Sequence, residues 1–193
     1  MSRSAGLRVM TGVLVALGWC LFAVSNAFSD EKRLRVTARD DCDPASFNAA
    51  VGPGTCIREG STTFDDFIAD LVDDHFVAAW RFDSRRFPIE SGRSIELKNR
   101  GGETHTFTRV ANFGGGFIDV LNQLSNTPTP APECATLSNG MLVPRAPSAT
   151  NIFVAARTEV DGPLAGSAAL PAGMTKWQCC IHPWMRSTIT VAP

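Results

Sequence analysis

Trp177-Gln178-Cys179-Cys180-Ile181-His182-Pro183-Trp184-Met185 decides how this chain is read. It places a thiol, an imidazole and a thioether at positions i, i+3 and i+6 of an otherwise apolar segment. The alternating run Ser187-Thr188-Ile189-Thr190-Val191 that follows predicts a strand, so the donors fall on a loop between two strands. Thiolate and thioether favour copper, and two imidazoles with one thiolate and a weak axial methionine form the set suited to electron transfer. The loop supplies one histidine. The chain holds three, His75, His105 and His182, so the search for a second imidazole is short.

The start of the chain is not fold. Arg3 and Arg8 precede an apolar run from Val9 to Val24, and Ser25-Asn26-Ala27 stands before the charged Asp30-Glu31-Lys32-Arg33. This predicts a secretory signal over residues 1–27, cut after Ala27. The run is shorter than the roughly 20 apolar residues of a spanning helix, and an uncleaved anchor is the alternative. Cys20 does not mark a lipoprotein, because the bulky Trp19 precedes it. Export, to the periplasm or beyond, implies an oxidising compartment where disulfides persist. Of six cysteines, Cys20 leaves with the signal and an odd number stays. An odd cysteine there points to a ligating or reactive thiol. With 193 residues in all, the mature part is long enough for one domain with its own core. The 18 Lys+Arg and 19 Asp+Glu include no basic run, which excludes a nucleic-acid binder, and the absence of tyrosine excludes tyrosyl-radical chemistry.

Residues 28–76 read as an N-terminal extension. Cys42 and Cys56 enclose a loop containing Gly52-Pro53-Gly54. A local disulfide is the simplest reading, contributing about 3 kcal/mol through loop closure. A surface metal or redox pair is the alternative, and it lacks a nearby histidine. Thr63-Phe64-Asp65-Asp66 predicts a helix start. Phe64, Phe67, Ile68, Leu71 and Val72 then recur at helical spacing. Asp65, Asp66, Asp70, Asp73 and Asp74 read as its solvated side, with a docking surface for a basic partner as the sharper alternative. His75 reads as a surface residue at the helix end rather than a second metal ligand with Asp73 or Asp74.

From Val77 the pattern turns to strands: Ala79-Trp80-Arg81-Phe82, Phe87-Pro88-Ile89-Glu90, and, after the turn at Ser91-Gly92, residues 94–99. Short alternating strands with glycine turns predict an all-β sandwich. Arg100-Gly101-Gly102 closes one strand and His105 stands at the edge of the next, which makes it the natural second imidazole.

These residues together resemble the cupredoxins, the small blue copper proteins. The resemblance rests on a strand ending in Asn99-Arg100-Gly101-Gly102, the histidine shortly after it, and Cys179, His182 and Met185 at Cys-x-x-His-x-x-Met spacing. The loop is most similar to that of amicyanin, whose motif also runs Cys-x-x-His-Pro-x-Met-Arg; plastocyanin shares Cys-x-x-His with a longer gap to methionine. The match covers about residues 77–110 and 175–193. It implies a Greek-key β-sandwich over residues 77–193, with one type 1 copper ion held by His105, Cys179, His182 and Met185. It implies further that His182 reaches the surface and passes electrons to a redox protein docking at Pro183 and Trp184. A cap over the metal is the alternative role for Trp184. Thr106 stands where the family often has an asparagine tying the two ligand loops, and its hydroxyl is a partial substitute. A long loop-rich insertion, about residues 112–172, is the larger departure. It carries Gly114-Gly115-Gly116, Thr127-Pro128-Thr129-Pro130-Ala131-Pro132 and a small-residue run from Leu164 to Pro171, with strand-like pieces at 117–121 and 151–156.

With Cys179 given to copper by that resemblance, Cys134 and Cys180 remain as partners, one of the three pairings that four cysteines allow. Successive strand residues point to opposite sides, so Cys180 faces away from the metal and is free to staple the insertion. A vicinal Cys179–Cys180 disulfide is the rival, and it blocks the ligand. The expected function is that of an exported electron carrier, not an enzyme, with no membrane span after signal cleavage. A copper chaperone or store without redox cycling is the alternative, and reversible reduction separates the two.

Overall fold

The structure, a computed structural model, describes residues 33–84, 94–148, 150–157, 159–160 and 172–193. The expected signal, the run at 87–90 with its turn at 91–92, and the small-residue run 164–171 lie outside the described residues.

Strand β1 (Arg33–Arg39) alternates, burying Leu34, Val36 and Ala38. It lies between β2 (Arg81–Ser84) and β3 (Ser94–Asn99), and β8 (Glu159–Val160) completes a four-stranded sheet in the order β2-β1-β3-β8. A second sheet runs β10-β9-β4-β7, from β4 (His105–Val110), β7 (Asn151–Val154), β9 (Gly173–Gln178) and β10 (Arg186–Val191). Leu34, Val36, Ile95 and Leu97 of one sheet share a core with Phe107, Ile152, Val154, Trp177, Ile189 and Val191 of the other. The rings of Phe107 and Trp177 stack at 4.7 Å in its middle. Two sheets closing one core from alternating strands is the arrangement of a β-sandwich. A separate hairpin joins β5 (Ala135–Ser138) to β6 (Met141–Pro144).

Among the described residues, three short helices decorate the sheets. Asp43 caps α1 (Pro44–Ala50), accepting the Ser46 N–H at 2.8 Å, with proline at the first turn where no donor is missed. Thr63 caps α2 (Phe64–Asp74), accepting the Asp66 N–H at 3.2 Å while donating its hydroxyl to the Asp66 carboxylate at 2.6 Å. The apolar face turns inward at Phe67 and Leu71, which are buried, but Val72, which the spacing put on the same face, is exposed at its edge. His75 ends this helix in the left-handed conformation, its Nδ1 2.9 Å from the Leu124 carbonyl at the end of α3 (Asp119–Leu124). Phe47, Phe67, Leu71, Val77 and Trp80 form a second core with Cys179 and Met185, so both helices pack toward the ligand loop.

Two boundaries shift. Residues 33–39, read as part of an N-terminal extension, are a strand of the first sheet, and Leu34–Pro193 is one compact unit. The stretch 112–172 is only partly an insertion, because β7 pairs with β4 and β8 pairs with β3. The strand expected at 117–121 is instead the approach to α3 and its first turn, a short apolar run that periodicity alone does not classify. Cys42 is joined to Cys56 and Cys134 to Cys180, which leaves Cys179 as the free cysteine among the described residues. Two such bridges suit an oxidising compartment. No helix among the described residues is long and apolar enough to cross a membrane.

Candidate metal centre

Strands β9 and β10 pair in antiparallel register, Gln178 opposite Arg186, and residues 179–185 form the loop between them. The Cys179 N–H donates to the Met185 carbonyl at 3.0 Å and the Met185 N–H to the His182 carbonyl at 2.9 Å. These bonds fold the loop into a tight turn and bring all three of its donor residues into the buried interior. His105 enters from the start of β4, next to β9.

Cys179 Sγ lies 3.9 Å from Nδ1 of His105 and 3.9 Å from Nδ1 of His182. The three donor atoms all fall within 4.8 Å of one another, and all three residues are buried. A metal ion sits about 2.0–2.3 Å from imidazole nitrogen and thiolate sulfur, which sets neighbouring donors roughly 3.6–3.8 Å apart. The spacing therefore fits one ion between the thiolate and the two imidazoles. Met185 is buried in the same apolar cluster as Cys179.

Chain-wide comparison adds no relative. Set against family models, curated proteins and solved structures, the chain matches none. The centre is therefore read from its own residues.

Behind each imidazole stands a buried carboxylate. His105 Nε2 is 2.7 Å from Asp40 Oδ2, and Asp40 also accepts the N–H groups of Gly102 at 2.7 Å and Glu103 at 3.1 Å. His182 Nε2 lies 3.4 Å from Glu103 Oε2, which accepts the indole N–H of Trp80 at 2.6 Å. A carboxylate at Nε2 fixes that nitrogen as the proton carrier and turns the Nδ1 lone pair to the metal side. Asp40 comes from the end of β1, and the loop after β3 folds over it so closely that a Cβ on Gly101 would meet its Oδ2 at 1.7 Å. Asn99 shapes that loop, accepting the Gly101 N–H at 2.8 Å and donating to the Glu103 carbonyl at 2.7 Å.

The electrostatics prepare a thiolate. Burial pushes the Cys179 thiol up, but His105 and His182 outweigh it and hold the thiol well below its ordinary value. Burial pulls His105 down, yet Asp40 and Cys179 lift it to about 9. Burial raises Asp40, and His105 with the Gly102 and Glu103 amides brings it below the usual carboxylate range. Glu103, with less compensation for its burial, stays raised. The sulfur also accepts backbone N–H groups from Thr106 at 3.3 Å and His182 at 3.5 Å.

Thr106 does tie the two ligand segments, since its hydroxyl accepts the Cys180 N–H at 2.6 Å. The glycine run of the insertion walls the loop: the Phe117 N–H donates to the Cys180 carbonyl at 2.9 Å, and a Cβ on Gly116 would meet that oxygen at 1.8 Å.

One expectation drawn from the resemblance is corrected. His182 does not reach the surface; it is 3 % exposed. The Phe67 ring of α2 stands 6.3 Å from it, Trp80 6.4 Å and Trp184 5.4 Å, so helix and indoles close over the imidazole. Pro183 is buried and Trp184 is half-buried, its ring packed against that of His182, so these two residues do not stand out as an exposed apolar patch. His75 takes no part in the centre; it caps α2. Asp40, Glu103 and Trp80 carry no mark in the sequence motif itself. A carboxylate behind a ligating histidine is the general signal, and Glu103, two residues before His105, was open to it.

Proposed function

We propose that this chain is an exported protein of the cupredoxin type, a Greek-key sandwich in which His105, Cys179, His182 and Met185 would hold one type 1 copper ion, and that it carries electrons between redox proteins. The reading is carried by one observation: a fully buried cysteine sulfur equidistant from two imidazole Nδ1 atoms, 3.9 Å from each. Bound copper would supply one-electron redox chemistry. The chain's own part is to hold the donors in nearly one geometry for both oxidation states. The β9–β10 hairpin bonds, the Thr106 hydroxyl and the Cys134–Cys180 bridge all restrain Cys179 and its neighbours. The aromatic cover excludes water from the imidazole side, which deepens electrostatic control of the site. Cys179, His105 and Asp40 also line up as thiol, imidazole and carboxylate, but the sulfur is wholly buried and offers a substrate no approach.

The decisive test is the optical and EPR spectrum of the copper-loaded mature protein. An intense thiolate-to-copper charge-transfer band is expected, and Cys179→Ser should abolish it; a band surviving that change refutes the ligand set. The sealed position of His182 favours a second reading, a copper store or chaperone. A carrier shows a reversible couple and rapid exchange with a redox protein, whereas a store hands copper to an apo-acceptor without cycling.

A further inference from the structure

We infer that Asp40 is a positioning residue that biases this centre toward a divalent ion, resting on the copper reading above. It sits behind one imidazole, 2.7 Å from His105 Nε2. Its side chain is 1 % exposed. All of the protein groups that approach the Asp40 oxygens are donors: two backbone N–H groups and an imidazole nitrogen. That environment is built for a carboxylate rather than a neutral acid. Asp40 pairs with no Lys or Arg side chain among the described residues, so it adds negative charge to a centre that already contains a thiolate. In a low-dielectric interior such a charge is weakly screened. It favours the more highly charged ion and disfavours its one-electron reduction. Part of the anchoring does not require the charge: Gly102 donates to Oδ1 while Glu103 and His105 meet Oδ2, and the single oxygen of an amide side chain can take the place of one of the two.

The test compares wild type with Asp40→Asn in the copper-loaded protein. The charge-transfer band should persist, showing that the ligands remain. The ratio of Cu(II) to Cu(I) affinity, measured by chelator competition in each oxidation state, should fall at least tenfold. A redox titration should show the matching rise in potential, about 59 mV for each factor of ten in a one-electron couple. Equal losses for both ions, or an unchanged potential, would reduce Asp40 to a mere anchor and overturn the inference. Should Asp40→Asn fail to fold, Asp40→Ser makes the same test at this imidazole, and an unchanged potential there overturns the inference equally. A wild-type protein without the band refutes the copper reading instead. Cobalt(II) binding then still tests the charge argument: weakening by roughly 10–100-fold in the variant supports it, and unchanged binding overturns it.

Discussion

Replacing Phe67 by alanine separates what α2 does for stability from what it does for the metal centre. Phe67 is 3 % exposed, with ring centroids at 4.8 Å to Trp80, 5.4 Å to Phe47, 5.8 Å to Trp184 and 6.3 Å to His182. Rigid rings on several sides leave the site little freedom to collapse, so the truncation should cost about 3–5 kcal/mol. That is a large share of the roughly 5–15 kcal/mol that holds a domain folded. The same change removes the ring that shields His182. Val72 lies on the solvent side of the same helix at 55 % exposure, and Val72→Ala should stay within about 0.5 kcal/mol. Urea unfolding of the metal-free proteins gives the stabilities, and the rate at which a chelator strips cobalt from the loaded proteins gives the access. The Phe67 variant should lose stability and release metal faster; the Val72 variant should do neither. A Phe67→Ala loss under about 1 kcal/mol, or unchanged stripping, would refute the view that this helix seals the centre.

Two further outcomes are expected. Removing the Cys134–Cys180 bridge by alanine at both positions opens a 46-residue loop and should cost about 4 kcal/mol by chain entropy while leaving the charge-transfer band in place; loss of the band would show that the bridge holds the ligand itself. In the metal-free protein, His105 has its folded value raised to about 9 from 6.5, so its contribution is full below 6.5 and lost as pH rises through 9. Cys179 has its folded value lowered well below 9.0, so its contribution is full above 9.0 and lost as pH falls. Between pH 7 and 8.5 the folded pair therefore holds one proton, as the unfolded pair does, and the centre should add no slope to stability. Unfolding free energies from urea titration that differ by about 2 kcal/mol across that interval, the change expected of one uncompensated proton at about 1.4 kcal/mol per pH unit, would contradict this pairing.

The clustered donor residues were legible because their types are scarce. Three histidines and one tight Cys-x-x-His-x-x-Met run leave few combinations, and local spacing carries two of the three, Cys179 and His182. The helix at 64–74 was legible for a similar reason: Thr63 caps it and its apolar period is regular. Its position was not. Nothing in the spacing of Phe67 says that its ring meets His182, because that contact depends on how the helix is folded back over the sandwich. Asp40 was hidden by distance, standing 65 residues before the imidazole it touches and beside turn-forming neighbours. Strand β1 does show period two at Leu34, Val36 and Ala38, but its closeness to the expected signal and to the Cys42 turn gives it the look of an extension. The piece at 117–121 failed for the opposite reason, since five mainly apolar residues fit strand or helix equally.

Adjacent cysteines with separate fates make strand registration a chemical choice. Trp177 and Cys179 lie among the inward side chains, while Cys180 reaches the neighbouring cluster with Cys134. A slip of one residue between β9 and β4 would exchange those sides. It would present Cys180 to the imidazoles, leave Cys179 to the bridge, and force Gln178 into the place of Trp177. The stacked indole is thus a proofreader: by admitting only one alignment, it determines which sulfur is oxidised and which is kept for metal.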